Sequence, residues 1–254
     1  MSRTLIAIAA LLCASLSTLA TAQAAETVSI KASFTPDKLG VPTNVFGSAT
    51  IGSTSEPLPS PPSKIVVMGP AGLGLDLAGT GTCSRAILEG PIGPSACPAN
   101  SRAGFGGGLG AFELAKEITH ENFTLDFFLG NNRPGHVVLL IYLNAITPVS
   151  VQLVFEAPVV QEPKPYGLGF SVNVPPIHSV PGASDATALS TFLTLGAKNV
   201  AYFKKVRGKR TLFHVKGIVV PKRCPKGGFP VASQFTFEDG STIMSKSTVP
   251  CPRG

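Results

Sequence analysis

The chain has 254 residues, with 27 glycines, 23 prolines, no tryptophan and only 14% charged side chains. That composition excludes a disordered, highly charged chain and a long-helix protein, and favours many short strands joined by tight turns. The formal net charge of +7 favours anionic partners through long-range attraction.

The first element is a secretory signal. Arg3, an apolar stretch from Leu5 to Leu19 and the small residues Ala22-Gln23-Ala24 stand in the order that export requires. The expected cleavage follows Ala24, and Cys13 falls in the discarded part. The mature chain would then run over residues 25–254 as one extracellular unit. No later run is long enough to span a bilayer as a helix, which takes about 20 apolar residues.

Val28, Ile30, Ala32 and Phe34 alternate with polar neighbours, the period of a half-buried strand. Asn44 to Ile51 and Lys64 to Met68 fit two more strands. Between them, Glu56 to Ser63 is proline-rich and is expected to stay out of any sheet interior. Ser84 to Glu89 fits a short helix, capped by Thr82 and ended by Gly90-Pro91. Gly104 to Gly110 has the glycine density of a phosphate loop without the Lys-Ser or Lys-Thr that would hold a phosphate, so a flexible or closely packed backbone explains it better.

Seven strand signals follow: Glu117 to Leu129, Val137 to Leu143, Val149 to Phe155, Gly167 to Val174, Ala188 to Leu195, Val200 to Val206 and Thr211 to Val220. No helical stretch separates them for parallel crossovers. The fold class expected is therefore all-β, an antiparallel β-sandwich-like domain with one short helix and two disulfides.

Cys83, Cys97, Cys224 and Cys251 remain after cleavage, an even number in an exported chain. Asp239-Gly240 marks a two-residue hairpin turn between Val231 to Phe237 and Ile243 to Val249. With Glu238 facing Ser241, position 228 lies opposite Cys251, and the bendable Pro225, Gly227 and Gly228 bring Cys224 within reach. Cys83 then pairs with Cys97. No C-x-x-C pair suggests a metal instead.

Signs of catalysis are sparse. His120, His136, His178 and His214 are scattered and form no metal-binding pair, and no G-x-S-x-G elbow occurs; Gly182-Ala-Ser-Asp-Ala186 comes nearest and reads as a turn. Glu117 with Glu121, or Asp126, is a candidate glycosidase pair, but two carboxylates four residues apart on a strand lie about 13 Å apart, too far for the usual pair. No catalytic, cofactor-binding or metal-binding residue is assigned. The alternatives to a non-enzymatic protein are a secreted carbohydrate-active hydrolase or lyase and a structural or adhesive surface protein.

One segment has positive functional content. Between Asp185 and Glu238 there is no acidic residue, while ten basic ones run from Lys198 to Lys226. Tyr202 to Val215 reads as a hairpin turning at Arg207-Gly208-Lys209, with Tyr202, Phe203 and Phe213 expected in the core. Lys204, Lys205, Arg207, Lys209 and Arg210 are the candidate anion-binding set. An anionic envelope polymer or anionic lipid headgroups are the expected partner; nucleic acid is not, for an exported chain with no such motif. The bland account of the same charges is a solvated edge guarded against aggregation.

Ala32 to Gly40, Cys97 to Gly106 and Gly217 to Pro230 resemble segments of a group of uncharacterised secreted proteins of soil actinobacteria. The resemblance implies export from a Gram-positive-type cell and supplies no activity, cofactor or catalytic residue.

Overall fold

A computed structural model describes residues 26–131, 133, 135–178, 180–196 and 201–252. The signal segment and Val200 therefore lie outside the described residues. Fifteen strands account for most of the remainder: β1 Glu26–Thr35, β2 Pro42–Ser53, β3 Pro62–Pro70, β4 Gly74–Asp76, β5 Arg102–Leu114, β6 Glu117–Leu129, β7 Val138–Ala145, β8 Val151–Gln161, β9 Tyr166–Asn173, β10 Thr187–Leu195, β11 Ala201–Val206, β12 Lys209–His214, β13 Gly217–Val219, β14 Phe229–Phe237 and β15 Thr242–Val249. All but β11 and β12 belong to one 13-stranded antiparallel sheet in the order β15-β14-β3-β9-β8-β7-β6-β5-β10-β2-β13-β4, with β1 added on β2.

The sheet curls on itself. Ile51 of β2 shares a buried cluster with Phe235 and Phe237 of β14, strands far apart in the pairing order. The two halves thus face each other across an apolar interior, the sandwich-like arrangement expected. β1 packs against β15, yet no ladder joins them among the described residues, and the sheet stays open at that seam.

Alternation explains the inner face. Phe127, Leu129, Leu139, Ile141, Phe155 and Phe170 come from every second position of β6 to β9 and form the largest buried cluster. Phe128, Leu140, Tyr142 and Val154 point to the outer face and are buried as well, under a strap carrying Cys83 and Leu88. This is why Phe127 to Leu129 of β6 and Val138 to Leu143 of β7 read as continuous apolar runs. The strap holds a short α-helix, α1 Arg85–Leu88, the one α-helix among the described residues, and Cys83–Cys97 staples it.

Several local expectations change. Ser84, not Thr82, caps α1, its hydroxyl accepting from the Ile87 amide at 3.3 Å. Pro62 and Ser63 open β3, since proline is tolerated as a first strand residue. The expected strand from Thr211 to Val220 breaks after His214 and resumes at Gly217. β5 went unanticipated because glycines hide its alternation. A Cβ on Gly104, Gly106 or Gly108 would run into the carbonyl oxygens of Thr194, Phe192 and Ser190, so the run permits close approach of β10.

The β14–β15 turn differs by one residue from expectation. Thr236 pairs with Thr242 and Phe229 with Val249, so the loop is Glu238-Asp239-Gly240, with Gly240 at φ +84°. This register puts Ile243 opposite Phe235 on the inner face and leaves Met244 exposed. A two-residue turn would pair Phe235 with Met244, and the hydrophobic pattern selects against it.

Candidate functional site

β11 and β12 form a hairpin of their own, outside the main sheet. Val206 pairs with Lys209, leaving Arg207-Gly208 as a two-residue turn at φ +50° and +83°. Both central residues in the left-handed region define the type I′ turn that matches strand twist. Lys209 therefore begins the second strand and is not part of the turn.

The hairpin is anchored at its base and free at its tip. Tyr202 and Phe213 pair across the strands and stack, ring centroids 5.7 Å apart, with the Tyr202 ring seated directly on Gly79. Phe203 is not core as expected: it is 55% exposed, and the Arg210 guanidinium lies 3.9 Å from its ring centroid. Lys204 through Thr211 are all exposed.

The five candidate cations are brought together at this tip. Lys205 and Arg210 share one face, Lys204 and Lys209 the other, and Arg207 caps the turn. None enters an ion pair among the described residues, whereas Lys216, just past the hairpin, reaches Asp76 at 3.3 Å. The exposed apolar side chains Phe203, Val206 and Leu212 interleave with the charges.

The two disulfides form as expected, Cys83–Cys97 and Cys224–Cys251, with Cα separations of 5.3 and 5.8 Å. Such bridges persist in an oxidising compartment. No helix among the described residues is long and apolar enough to cross a membrane.

The enzyme-like constellations are not assembled. Glu117 and Glu121 stay four residues apart on β6; Glu121 is buried and accepts from the Val149 amide at 3.3 Å. Asp126 pairs with Arg102. His120, His136, His178 and His214 are exposed. His178 pairs with Asp185 through Nδ1, and Ser184 Oγ accepts from the Glu113 amide at 2.8 Å.

Two features escaped the sequence. Glu26, Glu56, Glu113, Asp185, Glu238 and Asp239 line a recess of ≈450 Å³, held by the Ser60 amide donating to Glu26 at 3.0 Å and the Asp239 amide donating to Ser60 Oγ at 3.3 Å. Burial raises the Glu238 carboxyl above its ordinary value of 4.5, helped by Asp185 and opposed by His178. This recess adjoins the Glu26/Ser53 end of the β1–β2 pair, whereas β13, which follows the basic hairpin, pairs at Pro42 and Thr43. Those ends of β2 are ten residues apart, up to about 33 Å.

The second feature is an apolar cavity of ≈340 Å³ inside the curled sheet.

No family model, curated protein or solved structure matches the chain.

Proposed function

We propose that this is an exported, non-enzymatic binding protein that holds to an anionic envelope surface through the β11–β12 hairpin. The observation that carries the reading is the tip itself: Lys204, Lys205, Arg207, Lys209 and Arg210, all exposed and outside any described ion pair. Charges on both faces of a flat edge would not act together, but on a narrow projecting tip both faces approach the same surface. Near an anionic membrane each contributes up to about 1 kcal/mol, and the sum weakens with salt.

Two further features support a lipid surface over a soluble polymer. Phe203, Val206 and Leu212 are exposed among the cations, and such side chains gain by entering the headgroup boundary. The acidic recess lies toward the other end of β2, so an anionic surface would attract the hairpin end and repel the recess.

The measurement is co-sedimentation with phosphatidylglycerol/phosphatidylcholine vesicles and with isolated envelopes over a salt series. Wild type is compared with a variant carrying Ser or Gln at the five positions. The expected result is salt-sensitive binding that the variant loses. Equal binding by both, or binding indifferent to salt, would leave the solvated-edge account. Binding to envelopes and not to vesicles would identify a polymer as the partner.

A further inference from the structure

We infer that the interior of the curled sheet is a binding site for one elongated apolar molecule of the acyl-chain class. The inference stands apart from the hairpin and rests on the cavity's shape, lining and walls.

The shape is long. Along β2 the lining extends from Val45 to Ile51, and beside and along β7 it extends from Val137 to Leu143; six residue steps span about 20 Å. The volume of ≈340 Å³ falls in the range of small-molecule sites, about 300–1,000 Å³. A slender molecule lying along the strands fits both measures.

The lining excludes polar occupants. It is built from side chains such as Phe127, Leu139, Phe155, Phe170 and Phe235, and Lys31 is its one charged residue. Lys31 is itself exposed. Of the few hydroxyls, that of Thr191 already donates to the Gly107 carbonyl at 3.3 Å. A sugar or peptide would bury amides and hydroxyls without partners, which costs more than its apolar contacts return. Water in the cavity finds few polar partners on the lining, so an apolar occupant displaces it at little cost.

The walls keep the space open. Ala32, Ala49, Ala103 and Ala188 line the cavity at strand positions where valine or isoleucine would ordinarily fill the gap. Gly69 and Gly169 also line it, under backbone constraint, because a Cβ on either would meet a carbonyl oxygen of the neighbouring strand, that of Leu168 or Val67. The small side chains are therefore of two kinds: glycines required by the strand path, and alanines that leave room.

That distinction supplies the experiment. cis-Parinaric acid, a fluorescent long-chain fatty acid, is titrated into wild type, Ala49→Leu, Ala103→Leu and the five-site hairpin variant. The expected result is saturable, one-to-one binding by wild type, displaced by palmitate and not by a hexose. Each leucine variant should bind at least about tenfold more weakly, with a thermal midpoint no lower than wild type, because filling a real cavity does not overpack it. The hairpin variant should bind the probe like wild type, which separates this site from the surface reading. Absence of saturable binding by wild type overturns the inference, as does undiminished binding by both leucine variants or loss of probe binding in the hairpin variant. Should the leucine variants fail to fold, native mass spectrometry of wild type with palmitate decides: a one-to-one adduct supports the site, and its absence overturns it.

Discussion

The main sheet and the β11–β12 hairpin use the same antiparallel pairing and differ in what their side chains meet. In the sheet, inner side chains such as Phe127 and Phe235 are almost wholly buried, and outer ones such as Phe128 and Leu140 lie under the disulfide-stapled strap. In the hairpin Tyr202 seats on Gly79 of the body and stacks with Phe213, and Lys204 through Thr211 are exposed. The sheet's sequence is constrained by packing, where each position has neighbours to satisfy. The hairpin needs only its turn, its anchor and its charge, so its residues are free to serve a surface.

Equivalent substitutions in the two regions should therefore diverge. The largest effect is expected from Gly106→Ala, where the new Cβ meets the Phe192 carbonyl; urea unfolding should reveal a loss of about 3 kcal/mol or more. Gly208→Ala meets nothing within 4 Å, and its left-handed backbone should cost only about 1–2 kcal/mol, confined to the hairpin. Equal losses at the two sites would break the distinction.

Next come the bridges. Cys224–Cys251 closes 27 residues and Cys83–Cys97 closes 14, so chain entropy assigns them about 3.5 and about 3 kcal/mol respectively. Paired Cys→Ser variants followed by thermal unfolding should preserve that order. Loss of Cys83–Cys97 should also increase proteolysis within the strap and leave the hairpin unaffected.

A smaller effect is expected from the five-site hairpin variant. Since none of its cations is in an ion pair among the described residues, thermal stability should change by no more than about 0.5 kcal/mol per site, in either direction, while salt-sensitive vesicle binding is lost. A large fall in the midpoint would make the cations part of the fold.

The smallest and most diagnostic effects are in pH dependence. Burial raises the Glu238 carboxyl above 4.5, so the fold favours its protonated form; that stability is present below the ordinary value and lost as pH rises through the raised one. Glu238→Gln should therefore gain on wild type as pH rises toward neutrality. Asp76 moves the other way, lowered from 3.8 by the Ala78 amide first and by Lys216. Asp76→Asn should lower the midpoint at neutral pH and lose that effect as pH falls through the lowered value. Opposite slopes in the two variants are the expected reading, and parallel slopes would remove the contrast.

How much was legible follows the same division. Alternation located most strands because one buried face imposes a period of two, and Glu117 to Leu129 matched β6 at both ends. Hairpin reach brought Cys224 to Cys251 even though the turn held one more residue than expected, because a one-residue slip is small against the flexibility of Pro225 to Gly228. β5 was hidden because Gly104, Gly106 and Gly108 carry no apolar signal. The Phe203 assignment failed because apolarity does not say which face of a hairpin touches the body.

The sequence by itself determined the strand-rich class, the two cysteine pairs and the gathering of positive charge between Lys198 and Lys226, since composition, local period and loop length are properties of the chain alone. Only the tertiary structure decided that the basic hairpin stands outside the main sheet, that six carboxylates from distant segments share a recess, and that the curled sheet bounds an apolar cavity. Those depend on which strand faces which across the interior, and the period of a strand carries no information about its partner on the opposite side.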